Sequence, residues 1–439
     1  MAGIAGLALV LAAVPLASAA TTHVSTDPFT QATCAASTTT NHHTEVEPDT
    51  YSNGSTIVAT FQVGRIYDGG ACAIGFATST NNGANWTTNG LLPGITKWTG
   101  NGPNDRATDA SVTYDAKHGV WLISSLTLIE AGGVHGNSVV TSRSADGLTW
   151  SSPFTTATGG DLDKNWIVCD NTSTSQFYGN CYTEWDDHGA SNLLQMSTTS
   201  DGGQTWAPAA SNGSGVIGGQ PLVEPNGTVI VPIDNANETA VGAFNSTNGG
   251  SSWSPTTTIA TISHHTVAGS LREGPLPSAE IDAAGTVYVA WADCRFRRSC
   301  RTNDVVVSHS LNATGTSWSA VSRVPIDSTN SGIDHFIPGL AVNKSTSGGT
   351  AQLGLTYEFG SDGLAHGVFA TASGPTSGTS CSSVLDNCAE PMDTFVSGLA
   401  TASVSSTADP VLFGATGLTM RTTSGISWTT TAASTVTSL

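Results

Sequence analysis

The chain has 439 residues, 49 of them glycine, with 14 lysines and arginines against 33 aspartates and glutamates and a net charge of −19. Such a field repels polyanions and so excludes nucleic acid and anionic membrane surfaces as partners. Abundant Gly, Ser and Thr, with no long run of helical apolar periodicity in the mature region, predict an all-β protein.

Residues 1–20, "MAGIAGLALVLAAVPLASAA", form an apolar run ending in small residues, the pattern of a secretory signal peptide. Residues 21–439 are then one extracellular domain, and no later segment is apolar enough to insert in a bilayer. Eight cysteines in an exported chain predict disulfides. Cys169/Cys181, Cys294/Cys300 and Cys381/Cys388 bracket short segments, and Cys34/Cys72 is the remaining pair. None has the C-x-x-C spacing of a zinc site, and nothing in the pattern calls for a metal or cofactor.

From residue 44 onward one unit recurs: an apolar strand, a short polar turn and a stronger apolar strand, later followed by a turn ending in Trp. The units begin at "TEVEPDTYSNGSTIVATF" (44), "DASVTYDAKHGVWLISS" (109), "WIVCDNTSTSQFYGNCYTEW" (166), "PLVEPNGTVIVPI" (221), "SAEIDAAGTVYVAWAD" (278), "FIPGLAVNKSTSGGTAQLGLTYEF" (336) and "VSGLATASVSSTADPVLFGA" (396). Successive starts differ by 65, 57, 55, 57, 58 and 60 residues. Four antiparallel strands repeated radially make a propeller blade. The sequence therefore predicts a seven-bladed β-propeller, with six blades as the alternative.

The Trp turns read "NNGANW" (81–86), "SDGGQTW" (200–206) and "TNGGSSW" (247–253). An Asp or Asn accepts backbone N–H bonds, a Gly takes positive φ, and the indole folds beneath the turn. Copies at 143–150, 311–318 and 421–428 keep Gly and Trp without an acidic residue at the aligned position. This turn resembles the Asp-box, or bacterial neuraminidase repeat, of the sialidase-like propellers, and the likeness runs over the whole mature chain. It implies architecture more than activity.

In such a connectivity the Trp turns lie on one face, and the lead-ins to the innermost strands lie on the other with the loops joining second to third strands. That second face is the expected binding mouth. Seven of the ten arginines fall there: Arg65, Arg106, Arg272, Arg295, Arg297, Arg298 and Arg301. Converging guanidinium forks suit a carboxylate, so the expected partner is an anionic carbohydrate. Lys164, His43 and His335 are further binding candidates at the lead-ins.

In sialidases three arginines grip the carboxylate, a Tyr assisted by a Glu attacks the anomeric carbon, and an Asp is the acid/base. The resemblance implies Arg65 in "GRIYDGG" as the first arginine, although the family's Arg-Ile-Pro is absent. It implies Asp68 or Asp109 as acid/base, Glu280 as the assisting carboxylate and Tyr357 as nucleophile, with Tyr67 and Tyr182 as alternatives. The leading expectation is thus a secreted sialidase-like glycoside hydrolase of acidic glycans. A uronate lyase, with Arg65 or Arg106 beside His42, His43 or His335 as base, is one alternative. A non-catalytic glycan- or protein-binding propeller is the other.

Overall fold

The computed structural model describes residues 24–38, 40–268, 273–360, 366–373, 415–421 and 427–433. The expected leader and Cys381/Cys388 lie outside these residues, as does most of the seventh repeat. Strands dominate, and the described helices are single 3₁₀ turns such as His188–Ala190.

Six antiparallel meanders follow one another. The first comprises Thr40–Asn53, Thr56–Ile66, Ala71–Ser79 and Trp86–Leu91; the second, Arg106–Asp115, Val120–Ile129, His135–Ser144 and Phe154–Thr158. The third has Leu162–Cys169, Cys181–Asp187 and Leu193–Thr199, with Met196 bridged to Ala210. The fourth opens with the short strands Val216–Gly219 and Leu222–Val223 and continues through Val229–Asn235, Ala240–Ser246 and Thr257–Thr261. The fifth runs Ser278–Ile281, Val287–Asp293, Asp304–His309 and Ser322–Arg323. The sixth has Asp334–Val342, Gln352–Gly360 and His366–Ser373.

The hairpin of Ala415–Arg421 and Ser427–Ala433, expected to finish a seventh unit, instead continues the sixth sheet. Ser427–Ala433 pairs with His366–Ser373, with Ala370 opposite Thr430. The described residues therefore show six meanders where seven were expected.

The strands are apolar on both faces. Ala71–Ser79 and Val287–Asp293 are buried along their whole length. Neither face of such a sheet tolerates water, so each meander is sandwiched between its neighbours. The core accordingly forms layers: Ile74, Phe76, Val112 and Ile123 between first and second, Leu194, Met196, Val229 and Val231 between third and fourth, and Val305, Val307, Leu340 and Leu355 between fifth and sixth. The first strands of consecutive meanders lie against one another from the first meander to the sixth. Lys344, just past the sixth meander's first strand, sits 5.8 Å over the Tyr51 ring on the first.

The turn indoles complete the layers by reaching back to the preceding meander. Trp150 packs 5.7 Å from Phe76, and Trp253 lies 6.4 Å from Tyr182 and 5.5 Å from Phe244. Trp206 joins Val120 and Leu122, and Trp318 joins the layer between fourth and fifth. Above each indole one side chain organises the corner. Asn81 accepts from the Asn85 amide at 2.8 Å, Asn248 from Ser252 at 3.0 Å and Asn312 from Thr316 at 3.0 Å. Asp201 accepts from Gln204 at 2.9 Å and Thr205 at 3.0 Å. In the 143–150 copy, Asp146 does the same for Leu148 and Thr149, both at 2.8 Å, so an acceptor is present one residue out of alignment. Gly250 shows why glycine is required: φ is 82°, and a Cβ there would meet Thr198 Oγ1 and the Tyr182 ring.

Three expected disulfides are formed, Cys34–Cys72, Cys169–Cys181 and Cys294–Cys300, which is compatible with an extracellular location. Among the described residues no helix is long and apolar enough to cross a membrane.

Two outcomes follow for stability. Trp150→Ala should cost about 3–5 kcal/mol, read as a fall in the denaturation midpoint, because it empties a space between two sheets. Burial raises the Asp201 carboxyl, but hydrogen bonds from Thr205, Thr199 and Gln204 outweigh it and hold the pKa at about 2, below its ordinary 3.8. Its contribution is then complete above 3.8 and disappears as pH falls through about 2. Asp201→Asn should flatten that part of the acid-unfolding curve.

Candidate functional site

The expected arginine cluster is mostly spent on internal ion pairs. Arg106 is fully buried: its guanidinium meets Asp68 at 2.6 Å, Glu130 at 2.8 Å, the Gly69 carbonyl at 2.7 Å and Ser37 Oγ at 3.0 Å. Those bonds leave no face for a ligand. Arg295 forks onto Asp293 at 2.6 and 2.9 Å beside the Trp291 ring. Arg297 is buried between Asp304 at 2.5 Å and Asp327 at 2.6 Å, and Arg323 braces the same two carboxylates at 2.8 and 2.7 Å. Arg65 is half-buried, donating to the Gly70 carbonyl at 3.0 Å. Arg272 lies outside the described residues. Arg298 and Arg301 are exposed and form no ion pair among the described residues.

The expected catalytic set is likewise dispersed. Asp68 receives Thr38 Oγ1 at 2.7 Å as well as Arg106; burial works against ionisation, yet these donors hold its carboxyl below the usual range. It therefore braces Arg106 and is ill suited to donating a proton. Glu280 is buried with Lys344 Nζ 3.7 Å away, toward the hairpin-turn end of the strand rather than the mouth. Tyr357 belongs to the core layer between fifth and sixth meanders, where burial and the Asp327 charge push its phenol up. A buried, protonated phenol among valines and leucines is no nucleophile. Tyr182 is equally buried, whereas Tyr67 is exposed. His335 is buried against Tyr357, with ring centroids 5.5 Å apart, and burial lowers its pKa. The His43 backbone lies in the first strand; its side chain is outside the description.

Asp304, Asp327 and His335 offer ligand atoms within 4.8 Å of one another. Two guanidiniums already neutralise this grouping, and it acts as a buried ion quartet beneath the 294–301 loop.

Two other expected residues do come together. Asp109 and Lys164 sit at irregularities in the first strands of the second and third meanders, both with left-handed backbone, φ 49° and 58°. Non-glycine residues seldom adopt that conformation, and bulges re-aim side chains. The Lys164 amide lies 3.0 Å from Asp109 Oδ2 and 3.0 Å from Asp163 Oδ1, so two partly exposed carboxylates face each other across one N–H. Thr108 Oγ1 donates to Asp109 Oδ1 at 2.6 Å and receives Gln62 Nε2 at 2.7 Å; Gln62 also bonds Glu47, another left-handed residue. One network thus spans three meanders.

Behind the rim lie residues missed from the sequence. Glu184 is wholly buried, with the Gly219 backbone amide against its carboxyl. Burial, with Asp186, Asp163 and Asp109 nearby, drives its pKa well above the usual value. Asp186, held by Asn192 at 3.0 Å, is pushed to about 8 by burial and Asp163. His188 Nε2, half exposed, lies 3.6 Å from Asp163 and 4.0 Å from Asp186. The signal was present in "TEWDDH" (183–188), three acids and a histidine where a buried strand runs into the mouth.

A second missed group lies between fifth and sixth meanders. His264 Nε2 meets Glu273 at 2.8 Å, His265 Nδ1 meets Asp334 at 3.0 Å, and Asn303 ties both loops through the His265 backbone.

No family model matches the chain, and no curated protein does. Among solved structures, a protein of unknown function from Dyadobacter fermentans is similar at 13% identity and TM-score 0.50, covering 81% of this chain and 98% of that one. An ulvan lyase gives 12% identity and TM-score 0.48, over 74% and 79%; a Hadza microbial sialidase gives 18% and 0.45, over 71% and 63%. At this distance the likeness concerns the fold alone.

Arg106→Ala should behave as a core lesion. Leaving Asp68 and Glu130 without their cation should cost about 3–5 kcal/mol. Thermal unfolding should register that loss, with no selective loss of anion binding at temperatures where the variant is folded.

Proposed function

We propose that the chain hydrolyses a glycosidic bond at the rim formed by Asp109 and Asp163. The observation that carries this reading is the pair of partly exposed carboxylates sharing the Lys164 amide, backed by buried carboxyls whose pKa values are pushed upward. Glycoside hydrolysis needs one carboxylate that is ionised and one carboxyl that carries a proton. Asp109 accepts from Thr108 and Lys164 and is suited to the ionised role, as base or nucleophile. Asp163 stands at the mouth and relays to the leaving group the proton that Asp186 holds. Asp186 beneath it retains a proton at neutral pH, and half-exposed His188 links the pair to solvent.

The sialidase form of this reading, with an acidic sugar held by three arginines, has less support. Arg106, Arg295 and Arg297 are bound to carboxylates, and the Tyr and Glu it needs are apart. A lyase remains the second reading because of His265, a partly exposed histidine whose Nδ1 is held by Asp334, the arrangement that orients an imidazole as a base.

Incubation with a sialoside, a polyuronide and neutral glycans separates these readings. New reducing ends without an unsaturated product support hydrolysis, an unsaturated ultraviolet-absorbing end supports elimination, and binding without turnover supports neither. Asp109→Asn and Asp163→Asn should each lower kcat by about 10²–10⁴-fold with the fold retained. Turnover should fall as pH rises through about 8, where Asp186 loses its proton, and Asp186→Asn should remove that alkaline limb. Full activity in both Asn variants at positions 109 and 163 would overturn the assignment.

A further inference from the structure

The second-to-third strand loop of the fifth meander, residues 294–301, has no part in the rim described above. Cys294–Cys300 closes it, and Arg297 N and Cys300 N bond Cys294 O at 2.9 Å and Arg297 O at 3.1 Å. Its centre is pulled inward: the Arg297 guanidinium is 1% exposed, locked between Asp304 and Asp327. Anchoring the middle residue forces its neighbours outward. Phe296 stands 38% exposed, and Arg298 and Arg301 are exposed. Ser299 and Cys300 hold left-handed backbone, φ 57° and 51°, inside the closed loop.

This display is unusual for the molecule. The chain has ten arginines and a net charge of −19, so an exposed cation has many carboxylates to pair with and adds nothing to solubility. Every other arginine whose side chain is described is bonded: Arg65, Arg106, Arg143, Arg295, Arg297 and Arg323. Arg298 and Arg301 form no ion pair among the described residues, and they share one disulfide-closed loop with Phe296, one of the few exposed aromatic side chains. A flat apolar ring suits the hydrophobic face of a pyranose, and a guanidinium fork suits a carboxylate.

We infer that the 294–301 loop is an accessory anchoring site for a carboxylate-bearing sugar, with Phe296 beneath the ring and Arg298 and Arg301 on the acid group. The occupant is a glycan carrying isolated carboxylates. The negative field opposes dense polyanions, and a sugar ring uses Phe296 where a nucleic-acid backbone would not. The choice of a sugar rests on the glycan reading proposed above.

Calorimetric titration with a glucuronyl-terminated oligosaccharide and its carboxyl-reduced counterpart tests the inference. The native protein should bind the acid form about tenfold more tightly, by an amount that shrinks as salt rises. Arg298→Ala with Arg301→Ala should erase that difference, and Phe296→Ala should weaken both forms; these exposed positions should leave thermal unfolding unchanged. Equal affinity for the two sugars, or a preference that survives the double variant, would overturn the site. Loop-dependent binding of an acidic peptide or an oligonucleotide as tight as that of the sugar would do the same. If Asp163→Asn abolishes turnover while the loop variants bind normally, the loop inference alone fails. If no glycan is cleaved yet loop-dependent binding persists, the hydrolytic reading alone fails.

Discussion

The structure depends on sheets that are apolar on both faces. A four-stranded meander such as Ala71–Ser79 with its partners has no side it can turn to water, so it is stable only between two others. The indole corners make that sandwich specific. Each is rigidified by a single Asn or Asp acceptor, and those of the second to fifth meanders reach backward into the preceding one, so the order of meanders in space follows their order in sequence. The first strands are thereby set side by side, and the residues leading into them share one face.

Scarce cations are distributed by the same logic. Some carboxylates where strands run into the mouth receive a guanidinium, and others are pushed by burial toward the protonated form. Asp293 and Asp304 take the first course, with Arg295, Arg297 and Arg323 folded back onto them. Asp186, Asp234 and Glu358 take the second, each pushed to about 8 chiefly by burial. The buried carboxylates of the fifth meander are thus neutralised by arginines, while Asp186 of the third is pushed toward its protonated form.

The repeat unit, its Trp corners and three disulfides were legible in the sequence, because period, turn chemistry and spacing are local properties. The use of the arginines was not. Seven fall at the mouth by position, but a guanidinium on a loop reaches inward as easily as outward, and only the folded chain shows Arg106 turning toward Glu130 and Arg297 toward Asp304. Tyr357 misled for a similar reason: the resemblance made it the nucleophile, but packing turns it into the layer with Val305 and Leu355. Asp109 and Lys164 were found because their lead-ins are charged in a chain that is 11% charged. Glu184 and Asp186 were passed over because they lie within a second strand rather than in a lead-in.

One backbone feature ties these residues together. An irregularity recurs in the first strands of five meanders, and its left-handed residue is Glu47 in the first, Asp109 in the second, Lys164 in the third, Gly218 in the fourth and Ile337 in the sixth. The repeated backbone therefore offers the same slot around the mouth, and the side chain placed there differs. Glycine relieves the conformation and isoleucine fills space, but neither contributes chemistry. Three consecutive slots carry ionisable groups despite the conformational cost, of order 1 kcal/mol or more for each. The Gln62–Thr108–Asp109–Lys164 chain of bonds runs through those three and stops. A scaffold built from near-identical units acquires a one-sided cluster in this way: the symmetry supplies the positions, and the departures from it set ionisable groups side by side on the first three meanders.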